Sequence, residues 1–154
     1  MIFVTVGTQL PFPRLINYMA RWAQTHGERV VLQTGDRSGF NGCETYRSLP
    51  GYQFGTFMTE ARVIVSHAGI GSILATKAIN KPIIVVPRRA KLSEHRNDHQ
   101  LATAAALDGR AGLRVAWELD QIPAFLDGAI EPPEAELHPQ FNQLVDRIST
   151  FVGA

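Results

Sequence analysis

Apolar residues along this chain alternate between two patterns. Continuous short runs occur at Ile2 to Val6, at Arg29 to Gln33 around Val30-Val31-Leu32, at Val63 to Val65 and at Ile83 to Pro87. Runs of that length without polar alternation predict strands buried on both faces. Between the first two, Leu15, Ile16, Met19, Trp22 and Ala23 recur at helical spacing. Phe12-Pro13 opens that helix, because proline is tolerated in a first turn, and Gly27 closes it. Asp36 to Tyr46 is rich in Gly, Ser and Asn and predicts a loop, Tyr52 to Phe57 a short strand, and Met58 to Ala61 one helical turn. A helix is expected over Ser72 to Ile79, broken by Lys81-Pro82. Arg88 to Arg96 reads as a basic loop, after which Asn97 or Asp98 caps an alanine-rich helix ending at Gly109. Leu113 to Trp117 predicts a last strand and Asp120 to Leu126 a short helix.

The predicted order is strand, helix, strand, loop, strand, strand, helix, strand, helix, strand, helix. Buried strands alternating with helices indicate a single α/β domain over residues 1–154, with a doubly wound, Rossmann-like parallel sheet. Residues 131–139, rich in Pro and Glu, read as a linker to a C-terminal helix. That helix carries Phe141, Leu144, Val145, Ile148, Phe151 and Val152 on one face. Such a face packs on its own domain or docks onto a partner.

Composition narrows the function classes. With 45% hydrophobic and 19% charged residues the chain is an ordinary globular one rather than a disordered one. A net charge of +1 argues against a dedicated nucleic-acid binder. The single cysteine, Cys43, forms no internal disulfide, which fits a reducing cytoplasm. No apolar stretch reaches the roughly 18 residues of a membrane span. Met1 to Gly7 lacks the basic start of a signal peptide. Any link to a membrane is therefore expected through a partner or a surface patch.

The chemistry concentrates in Val63-Ile64-Val65-Ser66-His67-Ala68-Gly69-Ile70-Gly71-Ser72. A buried strand, a glycine-spaced turn and a helix N-terminus together make an anion site. Glycines admit a close phosphate, and the first helical N–H groups point at it. The spacing is not the dinucleotide fingerprint, which needs a third glycine and a downstream acid, nor a Walker A loop, which needs Lys-Ser/Thr. The ordinary alternative is a tight turn that packs a helix on a sheet. His67 is either a structural histidine or a donor to a phosphate or sugar hydroxyl. Gly7-Thr8-Gln9 is a second polar turn at the same sheet edge. Pro87 to Gln100 is a third segment there: a solvated loop, or a set of cations such as Arg88 offsetting phosphate charge, with Asp98, His99 and Gln100 placed for sugar hydroxyls. The i, i+4 pair His95 and His99 also suits a metal but lacks a third ligand. No Gly-x-Ser-x-Gly elbow and no Cys-His pair supports hydrolysis.

Four blocks in order resemble glycosyltransferase family 28, in its small single-domain branch. They are Phe3-Val4-Thr5-Val6-Gly7-Thr8, Ser66 to Ser72, Lys81-Pro82-Ile83-Ile84-Val85-Val86-Pro87 and His99-Gln100. That branch includes a eukaryotic subunit that adds N-acetylglucosamine to a dolichol-linked oligosaccharide and a bacterial exopolysaccharide transferase subunit. Arg88 to Gln100 is more similar to the bacterial one. The resemblance implies the C-terminal, donor-binding half of a two-domain (GT-B) glycosyltransferase. Its other half would be a separate membrane-anchored subunit binding a lipid-linked saccharide acceptor, which keeps this chain cytoplasmic and peripheral at the inner face of the membrane. It implies transfer from a UDP-sugar, with inversion and without a bound metal or cofactor. Donor-binding residues carried over are Gly7, Thr8, Gln9, Ser66, His67, Gly69, Gly71, Ser72, Arg88, His99 and Gln100. Among them Gly69, Gly71 and Ser72 hold the diphosphate, His67 contacts the phosphates, and His99 and Gln100 read the donor sugar. Many relatives carry a ribose-binding glutamate three residues after that serine, where this chain has Ala75. No residue is an evident catalytic base, and the resemblance allows that base to lie on the partner. A non-catalytic module of such a transferase is the alternative.

Overall fold

A computed structural model describes residues 1–133. The expected C-terminal helix and most of the 131–139 linker lie outside the described residues. Six strands form one parallel sheet: β1 (Ile2–Thr5), β2 (Val30–Gln33), β3 (Glu44–Tyr46), β4 (Val63–His67), β5 (Ile83–Val86) and β6 (Leu113–Val115). Their spatial order is β3-β2-β1-β4-β5-β6. Residues Ile2, Val4 and Val6, with Val30, Leu32, Val65, Ile84 and Val86, pack on α1 (Pro13–Thr25) and α5 (Ile122–Asp127). The alternate positions Phe3, Val31, Ile64, Ile83 and Val85 pack on the other side, against α2 (Gly51–Glu60), α3 (Ile70–Ala78) and α4 (His99–Leu107). Period-two alternation thus feeds two cores, one on each face. The expected α/β class and parallel, doubly wound sheet are what the chain adopts.

Three local readings are corrected. Tyr52 to Phe57 is not a strand but most of α2. Phe54, Phe57, Met58 and Ala61 sit at i, i+3, i+4 and i+7, and that helical stripe meets the Phe3 ring, 5.3 Å from Phe54. The Asp36 to Tyr46 loop contains β3, a three-residue edge strand whose side chains are only half-buried. α3 begins at Ile70, two residues before the expected start. In addition, Asp98 occupies the cap position of α4, but its carboxylate accepts the Ala90 N–H (2.9 Å). The neighbouring Asn97 Oδ1 accepts the His99 N–H instead (3.2 Å). No helix among the described residues is long and apolar enough to cross a membrane.

Candidate functional site: a cleft at the β1–β4 switch point

From β1 the chain steps to β2 on one side, and from β4 it steps to β5 on the other. The loops leaving β1 and β4 therefore diverge, and a crevice opens at their carboxyl ends, the usual ligand position in such sheets. A cleft of about 650 Å³ lies there. Gly7, Thr8, Gln9, His67, Gly69, Gly71, Ser72, Arg88 and Gln100 line it, so three separate sequence segments converge. Ser66 and His99 do not line it. Ser66 is fully buried in β4, with its hydroxyl 3.2 Å from His67 Nδ1, and His99 is exposed on α4. His95 lines the cleft from the loop while His99 opens the helix, so the two do not share a helical face.

The glycines divide by role. Gly7 has φ +75°, a conformation that L side chains rarely adopt, and a Cβ there would sit 2.7 Å from His67 Cε1. A Cβ at Gly69 would sit 2.2 Å from His67 Nε2. Both glycines clear space for the imidazole ring. Gly71 is different, because a Cβ there meets nothing within 4 Å. It lies in the first turn of α3, whose cap residue Gly69 supplies no side-chain hydrogen bond. Ile70, Gly71 and Ser72 of that turn line the cleft, their N–H groups are satisfied by no cap, and the helix dipole there favours an anion.

His67 is held neutral. Burial, reinforced by the positive charge of Arg88 and by His95, pushes its pKa down from 6.5 to about 4, against a hydrogen bond with the Thr5 backbone that raises it. The floor beneath is a closed polar network. Thr5 Oγ1 donates to Gln33 Oε1 (2.6 Å), and Gln33 Nε2 donates to the carbonyls of Gly7 (3.1 Å) and Arg47 (3.3 Å). The Gly7 N–H in turn reaches Thr5 Oγ1 (3.2 Å).

Arg88 is 2% exposed. Its Nη2 donates to the carbonyls of Val6 (2.9 Å) and Leu10 (2.6 Å), and its guanidinium stands 5.0 Å from the Phe12 ring centroid. Its Nε has no partner among the described residues. Gln100 Oε1 accepts the Arg88 N–H (3.1 Å). Arg88 therefore braces the Val6–Leu10 loop while adding positive charge to the cleft. The segment between β5 and α4 is pinned to α1 by a bidentate pair, Arg14 to Glu94 (2.5 and 2.9 Å), and Glu94 also accepts the Arg89 N–H (3.0 Å). Sequence reasoning missed Gln33, Arg47 and Ser48 as cleft residues. Only the placement of β3 beside β2 brings Arg47 and Ser48 to this edge, and that strand carries no apolar run. Ala75 is exposed on α3 and lines the cleft one helical turn beyond Gly71.

The family model for the glycosyltransferase family 28 C-terminal domain matches residues 1–138. The chain belongs to glycosyltransferase family 28. A UDP-N-acetylglucosamine transferase subunit ALG13 of Eremothecium gossypii is 29% identical to it, over 92% of this chain and 87% of the relative. The same comparison finds ALG13 of Cryptococcus neoformans at 32% identity, over 57% of this chain and 46% of that protein. Among solved structures, ALG13 in solution superposes with a TM-score of 0.61 at 20% identity, covering 94% of both chains. The Streptomyces glycosyltransferase SsfS6, solved with thymidine diphosphate, superposes at 0.60 and 20% identity over 83% of this chain. The chain spans about a third of the larger glycosyltransferases it superposes on, 36% of the kitacinnamycin enzyme and 32% of SsfS6. The fold is accordingly that of the C-terminal half of a GT-B glycosyltransferase.

Proposed function

We propose that this family 28 chain is the donor-binding subunit of a two-component UDP-sugar glycosyltransferase. The observation that carries the reading is the first turn of α3. It presents uncapped N–H groups and the open face of Gly71 to a cleft at the sheet's switch point. A diphosphate seated there has its charge met by N–H groups, by the helix dipole and by the nearby Arg88 charge. Those groups also favour UDP as leaving group, with no metal required in the proposed step. Attack by an acceptor hydroxyl on the far side of the sugar carbon breaks the bond to the UDP oxygen and inverts the configuration, the hydroxyl proton passing to a base that this reading places on the partner subunit. A neutral His67 donates or accepts hydrogen bonds to a phosphate without bringing a second buried cation.

The cleft is open to solvent, and half a cleft does not exclude water. The reading therefore places the acceptor site on a second, membrane-anchored subunit. Its substrate is a lipid-linked saccharide in exopolysaccharide or oligosaccharide assembly, with this chain peripheral at the cytoplasmic face. The test is calorimetric titration of the chain with UDP, followed by turnover with and without the partner. Saturable UDP binding and partner-dependent transfer support the reading, and absence of binding at millimolar UDP refutes it. One observation favours a second reading, a non-catalytic module. Ala75 provides no carboxylate where ribose hydroxyls are gripped in relatives. Unchanged turnover of the reconstituted pair on His67→Gln would support that module.

A further inference from the structure

Two residues that do not line the cleft hold the backbone of one that does. Arg14 stands in the first turn of α1 and Glu94 in the segment between β5 and α4. Their side chains are 22% and 8% exposed, so the bidentate pair between them is largely shielded from water. Each makes one further bond, and both of these go to the backbone around Arg88. Arg14 Nη2 donates to the Pro87 carbonyl (3.1 Å), and Glu94 Oε2 accepts the Arg89 N–H (3.0 Å). Between them, Gln100 Oε1 accepts the Arg88 N–H (3.1 Å). The peptide entering Arg88 is thus held at its carbonyl and its N–H, and the peptide leaving it is held at its N–H.

A backbone fixed on both sides fixes where the side chain starts. From there Arg88 Nη2 reaches the Val6 and Leu10 carbonyls, the two ends of the loop that presents Gly7, Thr8 and Gln9 to the cleft. The guanidinium groups of Arg14 and Arg88 both approach the fully buried ring of Phe12, at 5.2 and 5.0 Å from its centroid. The anchor is firm, because Leu15, Ile16 and Met19 of the same helix lie in the core. A site is set more closely by packed elements than by its own loops. We infer that Arg14 and Glu94 are positioning residues for the cleft, which set the Val6–Leu10 loop through the backbone of Arg88. That the ligand served is a nucleoside diphosphate rests on the donor-binding reading of the cleft.

Charge and geometry predict opposite signs here. Glu94→Gln removes a negative charge beside an anion site, so charge alone would tighten UDP. Loss of the grip on Arg14 and Arg89 instead loosens the loop and weakens UDP. Calorimetric titration of the full chain, at a temperature where each variant is folded, is expected to show Glu94→Gln binding UDP on the order of ten-fold more weakly, about the value of one charge-assisted hydrogen bond. Arg14→Lys is the milder variant. It keeps the charge but not the planar fork that bridges Glu94 and Pro87, and it weakens UDP in the same direction. Glu28→Gln is the control, because Arg62 and Glu28 form the same bidentate pair (2.7 and 2.7 Å), with a bond to the Leu126 carbonyl (3.1 Å), outside the cleft. It lowers Tm and leaves UDP affinity unchanged. NMR backbone order parameters of Thr8 and Gln9 give a readout independent of UDP, and they fall in Glu94→Gln but not in Glu28→Gln. UDP binding unchanged or tighter in Glu94→Gln, full affinity in Arg14→Lys, an equal loss in Glu28→Gln, or unchanged order parameters at Thr8 and Gln9 each overturns the inference. Failure of the wild-type chain to bind UDP strikes the functional reading instead, and the order parameters then decide the positioning role by themselves.

Discussion

Gly71→Asp separates a packing glycine from a ligand glycine, because the two roles give opposite signs for stability and binding. Gly71 occupies the first turn of α3, has no positive φ, and offers open space to a side chain. Any replacement removes the entropy cost of a helical glycine, about 0.5–1 kcal/mol. An acid in a first turn adds about 0.3–1 kcal/mol through the helix dipole, and α3 has no acid there now. The variant is therefore more stable by about 1 kcal/mol, which for a domain of this size is roughly 2–4 °C in Tm.

The same carboxylate occupies the ground where a diphosphate would sit. Two unit charges 4 Å apart at an effective dielectric of 20 repel by about 4 kcal/mol, so UDP affinity falls on the order of a thousand-fold. Thermal unfolding with and without UDP reads both effects in one experiment. The wild type shows a lower Tm that rises with UDP, and the variant a higher Tm that does not. A variant that is stabilised and still shifted by UDP refutes the placement of the diphosphate at α3. A variant that is destabilised refutes the description of Gly71 as open.

Three further outcomes are expected. His67 is more acidic in the folded chain (about 4) than its ordinary 6.5, so its contribution to stability is complete above pH 6.5 and is lost as pH falls through 4; the amount is about 3 kcal/mol, seen as a slope in urea midpoints that His67→Gln flattens. Arg88→Met strands the Val6 and Leu10 carbonyls and costs about 2–4 kcal/mol by denaturant unfolding. In an NMR titration of that folded variant the His67 pKa rises, whereas Arg88→Lys keeps it low, and no difference between the two contradicts the Arg88 charge effect. Ala75→Glu, on an exposed position of the cleft wall, leaves Tm nearly unchanged and tightens UDP by about ten-fold or more, as a charged hydrogen bond to ribose hydroxyls would; calorimetry showing no gain rejects ribose at that position.

The sheet was legible in the sequence because its strands are continuous apolar runs, and a run such as Ile83 to Val86 admits few other readings. The glycine turn was legible for the same reason, being a polar break directly after such a run. α2 was misread because Tyr52, Phe54, Thr56 and Phe57 favour strands individually, while the stripe Phe54, Phe57, Met58 and Ala61 acts only against a partner surface. β3 escaped because an edge strand of three half-buried residues has no apolar pattern to show. Within the site, sequence identified which segments converge but not which atoms are free. Arg88 looked like a phosphate cation, and the fold commits its Nη2 to two carbonyls. Gly7 and Gly69 looked like phosphate glycines, and the space they clear is filled by the His67 ring. The Gly7 and Arg88 roles depend on contacts far apart in the chain, Gly7 with His67 and Arg88 with Val6 and Leu10, which no local pattern encodes.

These contacts also decide how variants of the cleft should be read. Thr5, Gly7 and Gln33 hydrogen-bond one another, Arg88 Nη2 holds the Val6 and Leu10 carbonyls, and the His67 ring fills the space beside Gly7, so these residues form an interlocked floor. Removing one member leaves buried polar atoms or a cavity, so the loss reaches binding through stability and through the position of the Val6–Leu10 loop. The rim is different. Thr8, Gln9, Gly71, Ala75 and His95 line the same cleft with exposed or half-exposed side chains. A substitution there changes affinity while the floor stays intact. A floor that is already bonded needs no rearrangement to receive a ligand, which under the proposed function leaves the first turn of α3 preorganised for a diphosphate.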